Sequence, residues 1–256
     1  MASKLTISSI ATSALVVAVG NTIFVTGRFS TDLAAWIIDL ACICLLIGCI
    51  GKAINDRWSG VLVSPRNRIS LSKLQMTAWT VLVLSALVTA AAHNLLIGDG
   101  ANALDIVIDP NLLIVMGIST TSLVASPAIL SLKEAGSPAA LARRAAAEDA
   151  SWLDLFRGDL AETADTPDLS KIQQFLVSLV VIGTYAILIG AEFISLGRAG
   201  RFANFPALSD QVVWLIGISH AGYIASKAAQ TPSPALARMG TPRPNLSAPE
   251  PNPPGS

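Results

Sequence analysis

The sequence predicts an all-α integral membrane protein of about six transmembrane helices, organised around a duplicated helical hairpin. Three observations predict it. Only 13% of the 256 residues are charged while 52% are hydrophobic, against roughly 25% charged in an ordinary soluble domain. The apolar residues are gathered into runs of roughly 20, the helical length that crosses a hydrocarbon core about 30 Å thick. The basic residues are segregated to one side of those runs.

Six runs come near the spanning length, at 5–25, 33–50, 74–97, 112–132, 172–196 and 212–229. The first is diluted by Ser8, Ser9, Thr12, Ser13, Asn21 and Thr22. Lys4 in front of it gives it the look of a signal peptide, but no small-x-small cleavage site follows, so a retained helix is expected. Numbering the spans from an inner N-terminus puts 14 of the 17 basic residues on one side, leaving only Arg28, Arg198 and Arg201 on the other. The connection at 93–111 has no Lys or Arg and holds Asp99, Asp105 and Asp109. Positive charge stays cytoplasmic, which places both termini inside.

The chain contains an internal duplication. LSKLQ at 71–75 returns as LSKIQ at 169–173, and GIS at 117–119 returns as GIS at 217–219. Each copy reads as a basic-polar start, a long span, an outer loop and a second span bearing GIS. Both copies begin on the same side, so an axis along the membrane normal relates them. The expected organisation is a transmembrane hairpin at 1–51, a first repeat at 66–132, a linker at 133–167, a second repeat at 168–230 and a tail at 231–256. Lys73 and Lys171 are placed to snorkel to the headgroups, with Gln75 and Gln173 near the interface. Trp58, Trp79, Trp152 and Tyr223 are candidates for an aromatic belt on that side. Gly117, Gly217 and Gly222 would let helices approach closely, and Ser119 and Ser219 would hydrogen-bond across the contact.

In the linker, Ser137 followed by Pro138 is a helix-start signal, which predicts a short exposed helix over 139–150. Trp152, Leu155 and Phe156 then alternate with Asp154, Arg157 and Asp159, the pattern of a segment lying on the membrane surface or on a partner. The tail holds eight of the 14 prolines and no apolar run, so it cannot build a core.

These motifs resemble a family of uncharacterised bacterial polytopic membrane proteins. Its members carry S-L-S-[RK]-x-Q-M-x-x-W-T, L-L-G-I-S, D-L-F-x-G-[DE], D-[LI]-S-K-[LIV]-Q and G-I-S-x-A-G-Y-L-A-S-K. The first and the last three read here at 70–80, 154–159, 168–173 and 217–227. Gln174, where the family often has methionine, and Thr120–Thr121 in the first GIS span depart from it. The resemblance covers roughly 66–229. It implies a multi-pass protein of the bacterial inner membrane and no assigned activity.

No G-x-S-x-G, H-E-x-x-H, P-loop or paired-cysteine motif occurs, so no enzyme, cofactor or metal is expected. Cys42, Cys44 and Cys49 fall in one apolar run and read as packing residues. The formal net charge of +0 gives no field for nucleic acid. The residues open to a functional reading are Asp39, an intramembrane carboxylate, and His220 beside Ser219 in the sixth span. Both have a structural alternative, a hydrogen bond to a neighbouring helix. Three functions follow in order of expectation. The first is a structural or interaction subunit or anchor of a membrane complex, with a protein partner or a second copy besides the lipid. Next comes a small channel or transporter lined by the fourth and sixth spans, then a membrane-embedded sensor.

Overall fold

The computed structural model describes residues 15, 32–196 and 200–231. Among these residues five α-helices form a bundle: α1 (Asp32–Asn55), α2 (Leu71–Leu96), α3 (Pro110–Gly136), α4 (Leu169–Ser195) and α5 (Asp210–Ala229). They correspond to the second through sixth predicted spans. Apart from Leu15, the first predicted span falls outside the described residues, as does the tail beyond residue 231. Pairing of β type among the described residues is limited to four isolated bridges.

Sequence chemistry sets the helix starts. Asp109 caps α3 by accepting from the Asn111 and Leu112 amides, with Pro110 in the first turn, where its missing N–H costs nothing. Asp168 caps α4 by accepting from the Ser170 and Lys171 amides. Four helices, α1 to α4, are long and apolar enough to cross a membrane. Helix α5 is not among them. Asp210, Gln211, Ser219, His220, Ser226 and Lys227 dilute its 20 residues.

Helix α2 packs against α1, α3 and α4, while α5 joins α3 to α4 and so closes the ring. Trp36, Trp79, Leu82, Leu112, Val115, Tyr185, Ile189 and Phe193 fill the centre. Apolar side chains also cover the outside, among them Ile187, Trp214, Ile218 and Val124. A helix apolar on every side needs an apolar medium around it.

The two ends differ. At one end, here called the linker end, the starts of α2 and α4 and the ends of α3 and α5 meet the segments 56–70 and 137–167. At the far end the α2–α3 and α4–α5 connections pair, through Val107 N–H to the Ala203 carbonyl at 2.8 Å and Phe205 N–H to the Val107 carbonyl at 2.9 Å. Asn94 clamps them to α2 through the Phe202 and Ala103 backbone.

The linker departs from expectation. Residues 139–150 form no α-helix. Short 3-10 turns at Pro138–Ala140 and Ala147–Asp149 flank extended chain. The Ala142 amide donates to Asp159 and the Arg144 amide to Arg66, and Leu141 bridges Leu160. Backbone pairing with neighbouring segments overrides the helix propensity of the alanines, which is worth only tenths of a kcal/mol per residue. The linker is therefore a folded cap on the bundle rather than a tether.

Candidate functional site

The most elaborate chemistry lies where the cap meets the helices. Asp159 enters this junction and binds two lysines, Lys171 Nζ at 2.8 Å and Lys227 Nζ at 2.8 Å. Lys227, near the end of α5, also donates to Ser126 Oγ at 2.6 Å and Tyr223 Oη at 2.7 Å. Lys171 donates to the Arg157 carbonyl at 2.6 Å. Burial by itself would raise the Asp159 carboxyl, but Lys227 and Lys171 outweigh it and hold it well below the usual carboxylate range. A carboxylate shared by two cations and fixed by hydrogen bonds stays ionised even out of water.

A second carboxylate is set beside it. Asp154, 1% exposed, takes the Arg144 guanidinium at 2.8 Å and Arg68 Nε at 3.4 Å. It also accepts from the Ser151 amide at 2.8 Å. Burial would raise it too. The Arg144 and Ser151 hydrogen bonds and the Arg68 charge prevail, and its pKa is lowered. Arg68 in turn donates to the Gly158 carbonyl at 2.6 Å, so the 154–159 turn is stapled to the 64–70 loop at both ends.

Toward the bundle centre the polar groups continue without charge. Gln174 Nε2 donates to Gln75 Oε1 at 3.2 Å, Gln75 Nε2 donates to Ser178 Oγ at 2.5 Å, and Ser219 Oγ donates to Gln174 Oε1 at 3.0 Å. His220 Nδ1 lies 2.6 Å from Ser122 Oγ. Four bonds between the hairpins, Gln75–Gln174, Ser122–His220, Ser126–Lys227 and Asn111–Asp210, join residues 99, 98, 101 and 99 positions apart.

The predicted site residues scatter. Asp39 is buried and accepts from Thr89 Oγ1 at 2.7 Å. Together with Trp36 Nε1 on Ser85 Oγ at 3.0 Å, it fastens α1 to α2, away from His220. Ser119 is buried, and its hydroxyl has no partner among the described residues. Ser219 and His220 join the central polar groups. His93, near the end of α2, is also buried. Its Nδ1 meets Asp32 at 2.9 Å and its Nε2 the Gly200 carbonyl at 2.7 Å. Arg201 pairs with Asp99 and Asp105, and Glu192 is exposed.

Several expectations require correction. An added Cβ at Gly117 or Gly222 would meet nothing within 4 Å, and at Gly217 only Ile118 Cδ1 at 3.8 Å. These glycines do not mediate close helix contact, because they sit on outward or loosely packed faces. The close backbone approach is instead Gly51 against Gly60, where a Cβ on Gly60 would stand 2.3 Å from the Gly51 carbonyl oxygen. Leu155 is buried under the cap, and Phe156 packs edge-on against Phe175 at 5.0 Å. Of the expected docking residues only Trp152 is exposed, with Leu153 next to it. The turn at Trp152–Leu155 points Asp154 inward, the reverse of a membrane-surface pattern. Trp79 and Tyr223 are buried rather than interfacial, and so is Lys171, which is paired rather than snorkelling. Gln174, not Gln173, makes the buried amide contact with Gln75.

Trp58 and Trp152 do share a surface. They rim an apolar groove of about 820 Å³ whose walls come from α1, α2 and α4, including Leu40, Ile47, Val81 and Ile182. Sequence reasoning missed Asp154, Asp159, Arg68 and Gln174 as structural centres. Their signal was present in the DLFRGD turn at 154–159 and the two LSK starts, whose lysines needed partners. Compared with known family models, curated proteins and solved structures, the chain matches none.

Proposed function

We propose that this protein is a non-enzymatic structural or interaction subunit, an anchor for a complex in the bacterial inner membrane. In this reading the linker end faces the cytoplasm, the chain makes about six spans, and the two hairpins are copies of one unit. Recurrent bonding between residues about 99 apart, matching the sequence offset, supports the duplication. It is the pattern of an isologous interface, in which each element meets its own counterpart near the axis.

The observation that carries the functional reading is the Trp58–Trp152 groove. The cap is held on the helices by buried ion pairs. It leaves Trp58, Trp152 and Leu153, all more than half exposed, around a groove at the cap–helix boundary. Exposed aromatic anchors beside an apolar recess suit an apolar helix of a membrane partner. Affinity purification of the full chain in mild detergent tests it. A stoichiometric partner is expected, and Trp58→Ala with Trp152→Ala should release it. Recovery as a lone monomer, with or without the substitutions, overturns the proposal and leaves the tryptophans as lipid anchors.

One observation favours a second reading, a small transporter. Buried polar side chains of α3 and α5, the helices expected to line a path, run from Ser219, His220 and Ser122 to Ser126 and Lys227, with Gln75 of α2 and Gln174 of α4 beside them. Ion flux in liposomes that His220→Ala abolishes would favour it over the anchor.

A further inference from the structure

Beneath the cap, between the ends of α2, α3 and α5, lies a cavity of about 40 Å³. Its wall carries five cationic side chains, Arg66, Arg68, Lys73, Lys171 and Lys227, against one carboxylate, Asp159. Asp154 and Glu134 stand behind Arg68 and Arg66, but Asp154 is shared with Arg144 and Glu134 with Arg143. The wall is therefore short of negative charge.

Arg66 makes the shortage specific. It is 8% exposed, yet its guanidinium has one ionic contact among the described residues, Glu134 at 3.9 Å, and no hydrogen bond. Burial depresses its basicity, opposed by Asp159 and Glu134. A buried guanidinium with five donors and no short acceptor is costly unless something else accepts from it. The cavity has room for about three water-sized groups at 10–15 Å³ each. That is room for three of the four oxygens of a tetrahedral oxyanion, a group for which the planar arginine fork and flanking ammoniums are matched. The pocket also lies at the end of the bundle where lipid phosphates would sit, and basic pockets between helices at that depth bind anionic headgroups.

We propose that this pocket is a phosphate-binding site, with Arg66 as its principal ligand and Lys73 as a flanking one. The phosphate group comes either from a lipid headgroup or from free inorganic phosphate. The site is separate from the Trp58–Trp152 groove and does not depend on the anchor reading.

The test uses the purified full chain in neutral detergent, followed by its thermal unfolding midpoint. One arm titrates inorganic phosphate against sodium chloride at matched ionic strength. The other titrates phosphatidylglycerol against phosphatidylcholine in mixed micelles. A saturable rise of the midpoint with phosphate alone identifies a free-anion site. A rise with phosphatidylglycerol alone identifies a headgroup site, and a rise with both a phosphate site open to either. In each case Arg66→Gln should weaken the apparent affinity by about tenfold or more, as expected for a lost charge-assisted hydrogen bond. Arg143→Gln, which removes an exposed cation on the same Glu134, should leave it unchanged. Should Arg66→Gln fail to fold, Lys73→Gln carries the same expectation. The absence of a saturable response in both arms overturns the proposal, as does a response that survives both substitutions.

Discussion

Asp159 shows how much a single residue decides here. Among the described residues it is the one carboxylate in contact with both Lys171 and Lys227, and those lysines come from different helices, α4 and α5. Replacing it by asparagine leaves two buried cations short of a counter-ion, a change that typically costs about 3–5 kcal/mol. Asp159→Asn should therefore lower the unfolding midpoint in detergent sharply, whereas Arg143→Gln should shift it by no more than about 0.5 kcal/mol. The same residues set an acid limit. Asp154 and Asp159 both have lowered pKa values in the folded protein. A carboxylate with a depressed folded pKa stabilises fully above its unfolded value, near 4, and loses that contribution as pH falls through the folded one. The midpoint difference between the unaltered chain and Asp159→Asn should therefore hold steady from about pH 8 to 5 and shrink below about 4. A difference that grows on acidification to pH 3 would contradict the ion-pair account.

At the scale of elements, the cap is the part that local sequence signals misrepresent. An alanine-rich stretch after Ser137–Pro138 carries every local mark of a helix. It is nevertheless drawn into extended pairing by Arg66, Asp159 and Leu160, which lie far away in sequence or across a turn. Gly158 is the tight point of that turn, since a Cβ there would stand 2.1 Å from Thr163 Oγ1. Gly158→Ala should cost about 1–3 kcal/mol through overpacking and expose the linker to protease. The glycines that the repeat motif singled out should behave oppositely. Gly117→Ala and Gly222→Ala face open space, and alanine is favoured over glycine in a helix by about 0.5–1 kcal/mol. Both should be tolerated or mildly stabilising by thermal unfolding.

At the scale of the molecule, five described helices form an odd number of passes, so Asp32 and Gln230 lie at opposite ends of the bundle. If the bundle spans a bilayer, single cysteines at Glu148 and at Ala101 should be labelled from opposite faces by a membrane-impermeant reagent, in a background lacking Cys42, Cys44 and Cys49. Labelling of both from the same face would break the arrangement. The apolar exterior and the polar seam between hairpins then have one explanation. Lipid solvates the outside, so the helices gain little by burying apolar faces against each other. Helix-to-helix specificity falls to side chains that can hydrogen-bond, such as Gln75, Gln174, Ser122 and His220.

The long apolar runs and the repeat of LSK and GIS were legible in the sequence. Span length is a local property, set within about 20 residues by side-chain polarity. The sequence likewise marked Asp39, His220, Ser119 and Ser219 as buried polar positions, because polar residues inside apolar runs are conspicuous. Which residue faces which was decided by tertiary structure. Gln174 rather than Gln173 meets Gln75, Asp154 and Asp159 turn inward, Leu155 is covered, and Gly117 faces outward. The physical reason is that a buried charge or amide is stable only with its partner in place, and these partners lie from 10 to about 100 residues away. Pairings of that range depend on how helices rotate and dock, which the local pattern of apolar and polar residues does not fix.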